Sequence, residues 1–356
     1  MIDPEIFKAY DVRGLYGEQL DEDVAYAIGR GFARVLADMY EVEPGDLHLA
    51  LGRDMRLTAP AMAERYAQGM TDEGAAVLDV GRVGTEMLYW TVGSRELDGG
   101  LMCTASHNPK DYTGAKLVGR GALALSGDSG IGELREIVTA GEIGPPADPP
   151  GELTGEDIAD AFRVDALAFI DPSKVRPGKV VLDGGNGMAG EMAGPIFDQL
   201  PIEQVTLYWE PDGELPDHAP NPLLEENRRF IVDKVLAEGA ELGIAWDGDA
   251  DRCFFFDGDG EFVDGDFLTA LLAESVLEKD PGAQILYDVR ASRAVRDVVE
   301  AAGGTAHVNR VGHAFFKSRM RDEGAAFGGE VSGHYYFRDF YCADSGAIPA
   351  LLILEL

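Results

Sequence analysis

Apolar and polar positions alternate in blocks along the chain, and the blocks fall into three similar groups. The first group has short apolar runs at residues 47–51, 75–80 and 101–103, separated by stretches of helical length. The second has runs at 179–182, 205–209 and 242–246, and the third at 284–289, 304–308 and 325–328. Short apolar runs alternating with helical stretches predict strand–helix units, and so an α/β protein. A polar loop follows the third strand of each group, and these loops carry Ser106, Asp247 and Glu330.

A chain of 356 residues exceeds what a single core supports and fits two to four domains. The segment 141–155 is rich in proline, glycine and acidic residues and reads as a surface linker. The turn Asp-Gly-Asp-Gly at 257–260 lies between the apolar runs 254–256 and 262–263 and reads as a hairpin turn opening the third unit. The expected domains are therefore 1–150, 151–256 and 257–356.

Composition narrows the function. The formal net charge is −34 with a pI near 4.3, which argues against nucleic acid or anionic membrane as a partner. Phosphorylated substrates would need a local cationic pocket set in a repulsive field. Only eight of the 30 basic residues are lysine, a balance that suits high salt or an ordinary acidic cytosol. The three cysteines are far apart and form no CxxC, so neither a zinc knuckle nor a disulfide framework is indicated. The N-terminus lacks a signal-peptide core and no apolar run reaches membrane-spanning length, so the expected location is cytoplasmic.

Four segments carry candidate chemistry. Thr-Ala-Ser-His-Asn-Pro at 104–109 follows an apolar strand, and Asn-Pro forces a turn that would expose Ser106 as a nucleophile or phosphoryl carrier. Acyl transfer is disfavoured, because no G-x-S-x-G elbow exists and His107 is poorly placed to deprotonate its own neighbour. A plain serine in an Asn-Pro turn is the competing reading. Asp-Gly-Asp-Ala-Asp-Arg at 247–252 puts carboxylates at i, i+2 and i+4, which converge on an extended backbone. Three oxygen ligands with room for a phosphate oxygen suit Mg²⁺; an EF-hand fits poorly, since position six is Arg252 and position twelve is Gly258.

Gly-Gly-Glu-Val-Ser-Gly-His at 328–334 alternates Glu330, Ser332 and His334, and a carboxylate beside a hydroxyl suits sugar hydroxyls. Phe-Lys-Ala-Tyr-Asp-Val-Arg-Gly at 7–14 offers Arg13 for phosphate charge, although an ordinary surface strand would look the same. Arg290 and His313 are further, individually nonspecific phosphate-pocket donors. A formal G-x-G-x-x-G at 185–190 follows a strand, with Glu210 about 20 residues on, so dinucleotide binding competes with a tight strand-to-helix turn.

In this order the motifs resemble the α-D-phosphohexomutase superfamily, over essentially the whole chain. The resemblance implies consecutive α/β domains with mixed sheets around a central cleft. It implies a phosphoserine at Ser106, Lys116 as general acid/base, and Arg13 and His107 in support. Asp247, Asp249 and Asp251 become Mg²⁺ ligands, joined by a phosphate oxygen on Ser106. Glu330 and Ser332 become readers of sugar hydroxyls, with Tyr10, Arg252, Arg290, His313 and His334 lining the substrate pocket.

The implied reaction interconverts hexose 1-phosphate and hexose 6-phosphate through a 1,6-bisphosphate, with glucose or mannose 1,6-bisphosphate as activator. The opening segment and the Gly-Glu-Val-Ser-Gly-His loop are similar to the phosphomannomutase/phosphoglucomutase branch, so a phosphorylated mannose is the expected substrate and glucose the alternative. The superfamily pattern also includes a fourth, C-terminal domain with an Arg-Ser/Thr-rich phosphate loop. No such loop follows here, so that domain is expected to be missing, and with it the anchor for the non-transferred phosphate. Two other readings compete: a phosphatase or phosphotransferase with an aspartyl nucleophile, and a truncated sugar-phosphate-binding relative.

Overall fold

The computed structural model describes residues 2–127, 129–141 and 143–356. The chain divides into two compact units, Met1–Ile158 and Ala159–Leu356.

The first unit contains β1 (Asp11–Leu15), α1 (Glu22–Tyr40), β2 (His48–Arg53), α2 (Ala59–Asp72), β3 (Ala76–Arg82), α3 (Thr85–Ser94), β4 (Gly99–Cys103), β5 (Tyr112–Gly119), α4 (Ile131–Ala140) and β6 (Leu153–Gly155). They build one six-stranded sheet in the order β1-β5-β4-β2-β3-β6. β4 is buried at every position and β2 at its four central ones, as strands covered on both faces require. Helix α1 starts where Asp21 accepts the backbone N–H groups of Asp23 and Val24. It buries Ile28, Phe32 and Leu36 against that sheet's core.

The second unit holds two sheets. The first of these contains α5 (Ala159–Leu167), β7 (Lys179–Asp183), α6 (Ala189–Phe197), β8 (Glu203–Leu207), α7 (Glu225–Glu238), β9 (Leu242–Trp246), β10 (Cys253–Asp257) and β11 (Phe262–Val263), with strand order β11-β10-β9-β7-β8. After it come α8 (Gly265–Lys279), β12 (Gln284–Asp288), α9 (Arg293–Ala301), β13 (Thr305–Asn309), α10 (His313–Glu323), β14 (Phe327–Gly329), β15 (Tyr335–Phe337), β16 (Ala343–Asp344) and α11 (Ala347–Glu355), with strand order β13-β12-β14-β15-β16. Among the described residues no helix is long and apolar enough to cross a membrane.

All nine apolar runs are strands, and the three sheets are mixed on one plan. Three parallel strands, β3-β2-β4, β8-β7-β9 and β13-β12-β14, are each extended by an antiparallel strand, β5, β10 or β15. The loop between the last parallel strand and its antiparallel neighbour holds Ser106 in one sheet, Asp247–Asp251 in the next and Glu330 in the third.

Two segments lie elsewhere than the expected domain limits put them. Leu153–Gly155 pairs with β3 and belongs to the first sheet, although its exposed side chains leave no apolar run to read. The hairpin at 257–260 closes the second sheet, because β11 pairs with β10. The third sheet begins only with β12. We therefore propose limits near residues 158 and 264 in place of 150 and 256.

Candidate active site

The serine loop leaves β4 at Cys103. Ser106 is 2% exposed and has a left-handed backbone, φ 51°, uncommon for a side-chain-bearing residue. Its N–H donates to Thr104 Oγ1 (2.8 Å), and its Oγ lies 3.1 Å from His107 Nδ1. Arg13 on β1 donates through Nη1 to Asn108 Oδ1 (2.6 Å) and also pairs with Asp11. Lys116 on β5 is buried and sits in register between Asp11 of β1 and Met102 of β4. Tyr10, half-buried, immediately precedes β1. The first unit thus gathers Ser106, His107 and Arg13 into one hydrogen-bonded loop and sets Lys116 on the strand beside it.

Sequence reasoning passed over a further residue here. Arg56, just beyond β2, is buried and donates to the carbonyls of Ser106, Asn108, Pro109 and Tyr112. It pairs with buried Asp54 across 3.3 Å.

The aspartate loop joins β9 to β10. Asp247, Asp249 and Asp251 are all buried, with one carboxylate oxygen from each lying within 4.8 Å of the others. Arg252 donates to Asp247 through its backbone N–H (3.1 Å) and through Nε (2.9 Å). Burial works against the Arg252 charge, but Asp247, Asp251 and Asp249 outweigh it and raise its pKa. Three like charges this close, away from water, repel strongly, and one guanidinium carries a single compensating charge. An all-oxygen set of this kind fits a hard divalent cation such as Mg²⁺.

The formal G-x-G-x-x-G braces this loop. Its N–H groups are committed to the protein: Gly185 to Asp183 Oδ1, Asn186 to the Tyr208 carbonyl, Gly187 to Gly184 and Met188 to Gly248. That use accounts for the pattern as a strand-to-helix turn. Asp183 also accepts from buried His218, whose Nε2 lies 3.2 Å from both carboxylate oxygens.

The third loop follows β14. Glu330 is buried, accepts the Tyr336 hydroxyl at Oε1 (2.5 Å) and the Gly312 N–H at Oε2 (3.2 Å), and has Arg290 at 3.9 Å. Arg290 is half-exposed and pairs with fully buried Asp288, whose hydrogen bond raises the Arg290 pKa. Ser332 is half-buried in the same turn, which the bond from the Glu330 N–H to the His334 carbonyl closes.

His334 Nδ1 lies 2.9 Å from Asp344 Oδ2, and Asp344 Oδ1 lies 2.6 Å from Lys317 Nζ. Burial opposes charge on His334, but the Asp344 hydrogen bond and the charges of Asp251 and Asp344 raise its pKa. Burial alone would raise the Asp344 pKa; Lys317 and His334 instead hold it well below the usual carboxylate range. The His313 ring, at the start of α10, lies 6.3 Å from that of His334. The second unit therefore brings the three aspartates, Arg252 and His334 together, with Glu330, Arg290 and His313 around the neighbouring loop.

The chain is similar to known proteins along its length. Residues 4–142, 160–260 and 264–356 match the family models for phosphoglucomutase/phosphomannomutase α/β/α domains I, II and III. A phosphomannomutase of Salmonella montevideo is 44% identical over 356 residues, covering 98% of this chain and 76% of the relative. One from Escherichia coli K12 is 44% identical over 357 residues with the same coverage. A Burkholderia thailandensis structure described as a phosphoglucomutase/phosphomannomutase family protein superposes with a TM-score of 0.93 at 36% identity, over 100% of this chain and 77% of that one. With three domain models matched in order and relatives 44% identical along 98% of its length, the chain belongs to the phosphomannomutase/phosphoglucomutase branch of the α-D-phosphohexomutase superfamily.

Proposed function

We propose that this chain is a phosphohexomutase that interconverts hexose 1-phosphate and hexose 6-phosphate, with mannose the preferred sugar. The observation that carries the reading is the convergence of three buried carboxylates after β9, at the sheet position that holds Ser106 after β4. Shared position and complementary chemistry support one reaction using both loops.

In this reading Ser106 Oγ carries the phosphoryl group. It passes the group to the free hydroxyl of a hexose monophosphate, breaking the Ser106 O–P bond and forming a 1,6-bisphosphate. The sugar turns over, and its other phosphate moves to Ser106, releasing the isomer. Lys116 takes the proton from the attacking hydroxyl and delivers it to the departing oxygen, from the sugar to Ser106 Oγ in the first transfer and from Ser106 Oγ to the sugar in the second. Arg13 and His107 steady the serine loop. Asp247, Asp249 and Asp251 would hold Mg²⁺, with an oxygen of the Ser106 phosphate as a further ligand. Bound there, the ion would neutralise charge on the transferring group.

Glu330 and Ser332 read sugar hydroxyls, while Tyr10, Arg252, Arg290, His313 and His334 bind the rest of the substrate. Glucose or mannose 1,6-bisphosphate primes Ser106. The three cysteines are buried thiols, which suits a cytoplasmic enzyme.

Assays with mannose 1-phosphate and glucose 1-phosphate in parallel, with Mg²⁺ and a trace of glucose 1,6-bisphosphate, test the reading. Turnover of mannose 1-phosphate with the higher kcat/KM is expected. A higher kcat/KM for glucose 1-phosphate would reassign the sugar, and wild-type turnover by Ser106→Ala would overturn the mechanism.

A further inference from the structure

We infer that Arg56, held by Asp54, positions the Ser106 nucleophile by clamping the backbone of its loop. The inference rests on Ser106 being the phosphoryl carrier.

All four terminal N–H groups of Arg56 are directed at carbonyls of one short segment. Nη2 donates to Ser106 (2.8 Å) and Asn108 (2.6 Å), and Nη1 to Pro109 (2.8 Å) and Tyr112 (3.1 Å). Nε faces Asp54 Oδ2 at 3.3 Å. Asp54 is itself fixed: its Oδ1 accepts the Arg56 N–H (3.0 Å), and its own N–H donates to the Cys103 carbonyl (3.0 Å) at the end of β4. The pair therefore ties the exit of β2 to the exit of β4 and to the loop that β4 feeds.

A guanidinium presents five donors in a rigid fork, whereas a lysine ammonium is a single point with three. Only the fork can meet carbonyls spread from residue 106 to residue 112. Ser106 needs such support, because a left-handed serine persists only where its surroundings over-determine it. With its donors committed to main chain, Arg56 acts on the loop rather than on the phosphate. It is a positioning residue, and misplacing a nucleophile by about 1 Å is worth roughly 10²-fold in rate.

The test measures kcat, KM for mannose 1-phosphate, thermal midpoint and the single-turnover rate of phosphoryl transfer from phospho-Ser106 in Arg56→Lys, Arg56→Met and Asp54→Asn. Arg56→Met is expected to lose about 10²-fold in kcat and in single-turnover rate, with KM within about twofold. Arg56→Lys should not restore the rate. A folded Arg56→Met that transfers phosphate at the wild-type rate overturns the clamp. Should Arg56→Met fail to fold, Asp54→Asn decides: a lower kcat at constant KM supports the clamp, and wild-type kcat in the folded variant overturns it. Turnover by Ser106→Ala would instead sink the underlying assignment, so the two failures are distinguishable.

Discussion

The backbone N–H of Met188 donates to the Gly248 carbonyl over 2.9 Å, so the glycine loop after β7 braces the middle of the aspartate loop after β9. A second brace comes from the start of α11, where the Gly346 carbonyl accepts Trp246 Nε1 (2.9 Å). Neither glycine leaves room for a methyl group: a Cβ on Gly187 would lie 2.6 Å from the Gly248 oxygen, and one on Gly346 2.3 Å from the Ala250 oxygen. Both contacts are with backbone, which cannot swing aside. Gly187→Ala and Gly346→Ala should therefore shift the carboxylates and weaken Mg²⁺ binding by about 10–100-fold, the usual scale for outer-shell changes. Calorimetric Mg²⁺ titration checks this, and unchanged affinity would refute the bracing role.

Asp249 is fully buried within the carboxylate cluster. Asp249→Asn keeps its shape and removes a negative ligand. Mg²⁺ affinity should fall by at least about tenfold while the thermal midpoint without metal holds or rises, because like-charge repulsion is relieved. A Mg²⁺ titration matching wild type would show that the ion sits elsewhere. Chelation with EDTA should stop turnover reversibly.

Tyr336 stacks on Phe316 at 5.1 Å and donates to Glu330 within the third sheet. Burial, with Glu330, Asp344 and Asp251 nearby, pushes the Tyr336 pKa well up, so the hydroxyl stays a donor. Tyr336→Phe deletes only that donor. A hydrogen bond to a charged group contributes about 1.5–3 kcal/mol, so a Glu330 left to move should raise KM for mannose 1-phosphate roughly tenfold or more. Kinetics at saturating Mg²⁺ give the answer; an unaltered KM would mean that Glu330 does not depend on this bond.

His218 supplies a pH signature. Burial alone would lower its pKa, but the hydrogen bond and charge of Asp183, with the Ala219 carbonyl and the charge of Asp217, raise it above the ordinary value. A histidine whose folded pKa is raised contributes stability fully below its unfolded pKa of about 6.5. That contribution fades as pH rises through the folded pKa. The gap in unfolding free energy between wild type and His218→Gln should thus be widest below about pH 6 and shrink on going alkaline. Denaturant melts across this range test it, and a gap that widens with pH would contradict the pairing.

Much of the fold was legible because the central strands are continuous apolar runs separated by stretches of helical length. β9 and β12 stand out for that reason. Leu153–Gly155 does not, since its pairing relies on backbone alone and its side chains face water. The serine and aspartate loops could be read because each puts its chemistry in one contiguous stretch. Arg56 could not: it lies 50 residues from Ser106 in sequence, and its role exists only once β2 and β4 are neighbours. Tyr336 was hidden differently, as one more aromatic in an apolar strand, and Lys317 and Asp344 become a pair only when α10 and β16 meet.

Whether Ser106 carries the phosphoryl group is decided by the half-reaction. The protein is incubated with glucose 1,6-bisphosphate and Mg²⁺, freed of ligand, mixed with mannose 1-phosphate, and followed by intact mass and peptide mapping. One phosphate is expected on Ser106, and it should then leave to the sugar. Phosphate that settles on another residue, or a Ser106→Ala variant that is labelled and discharged like wild type, would contradict it.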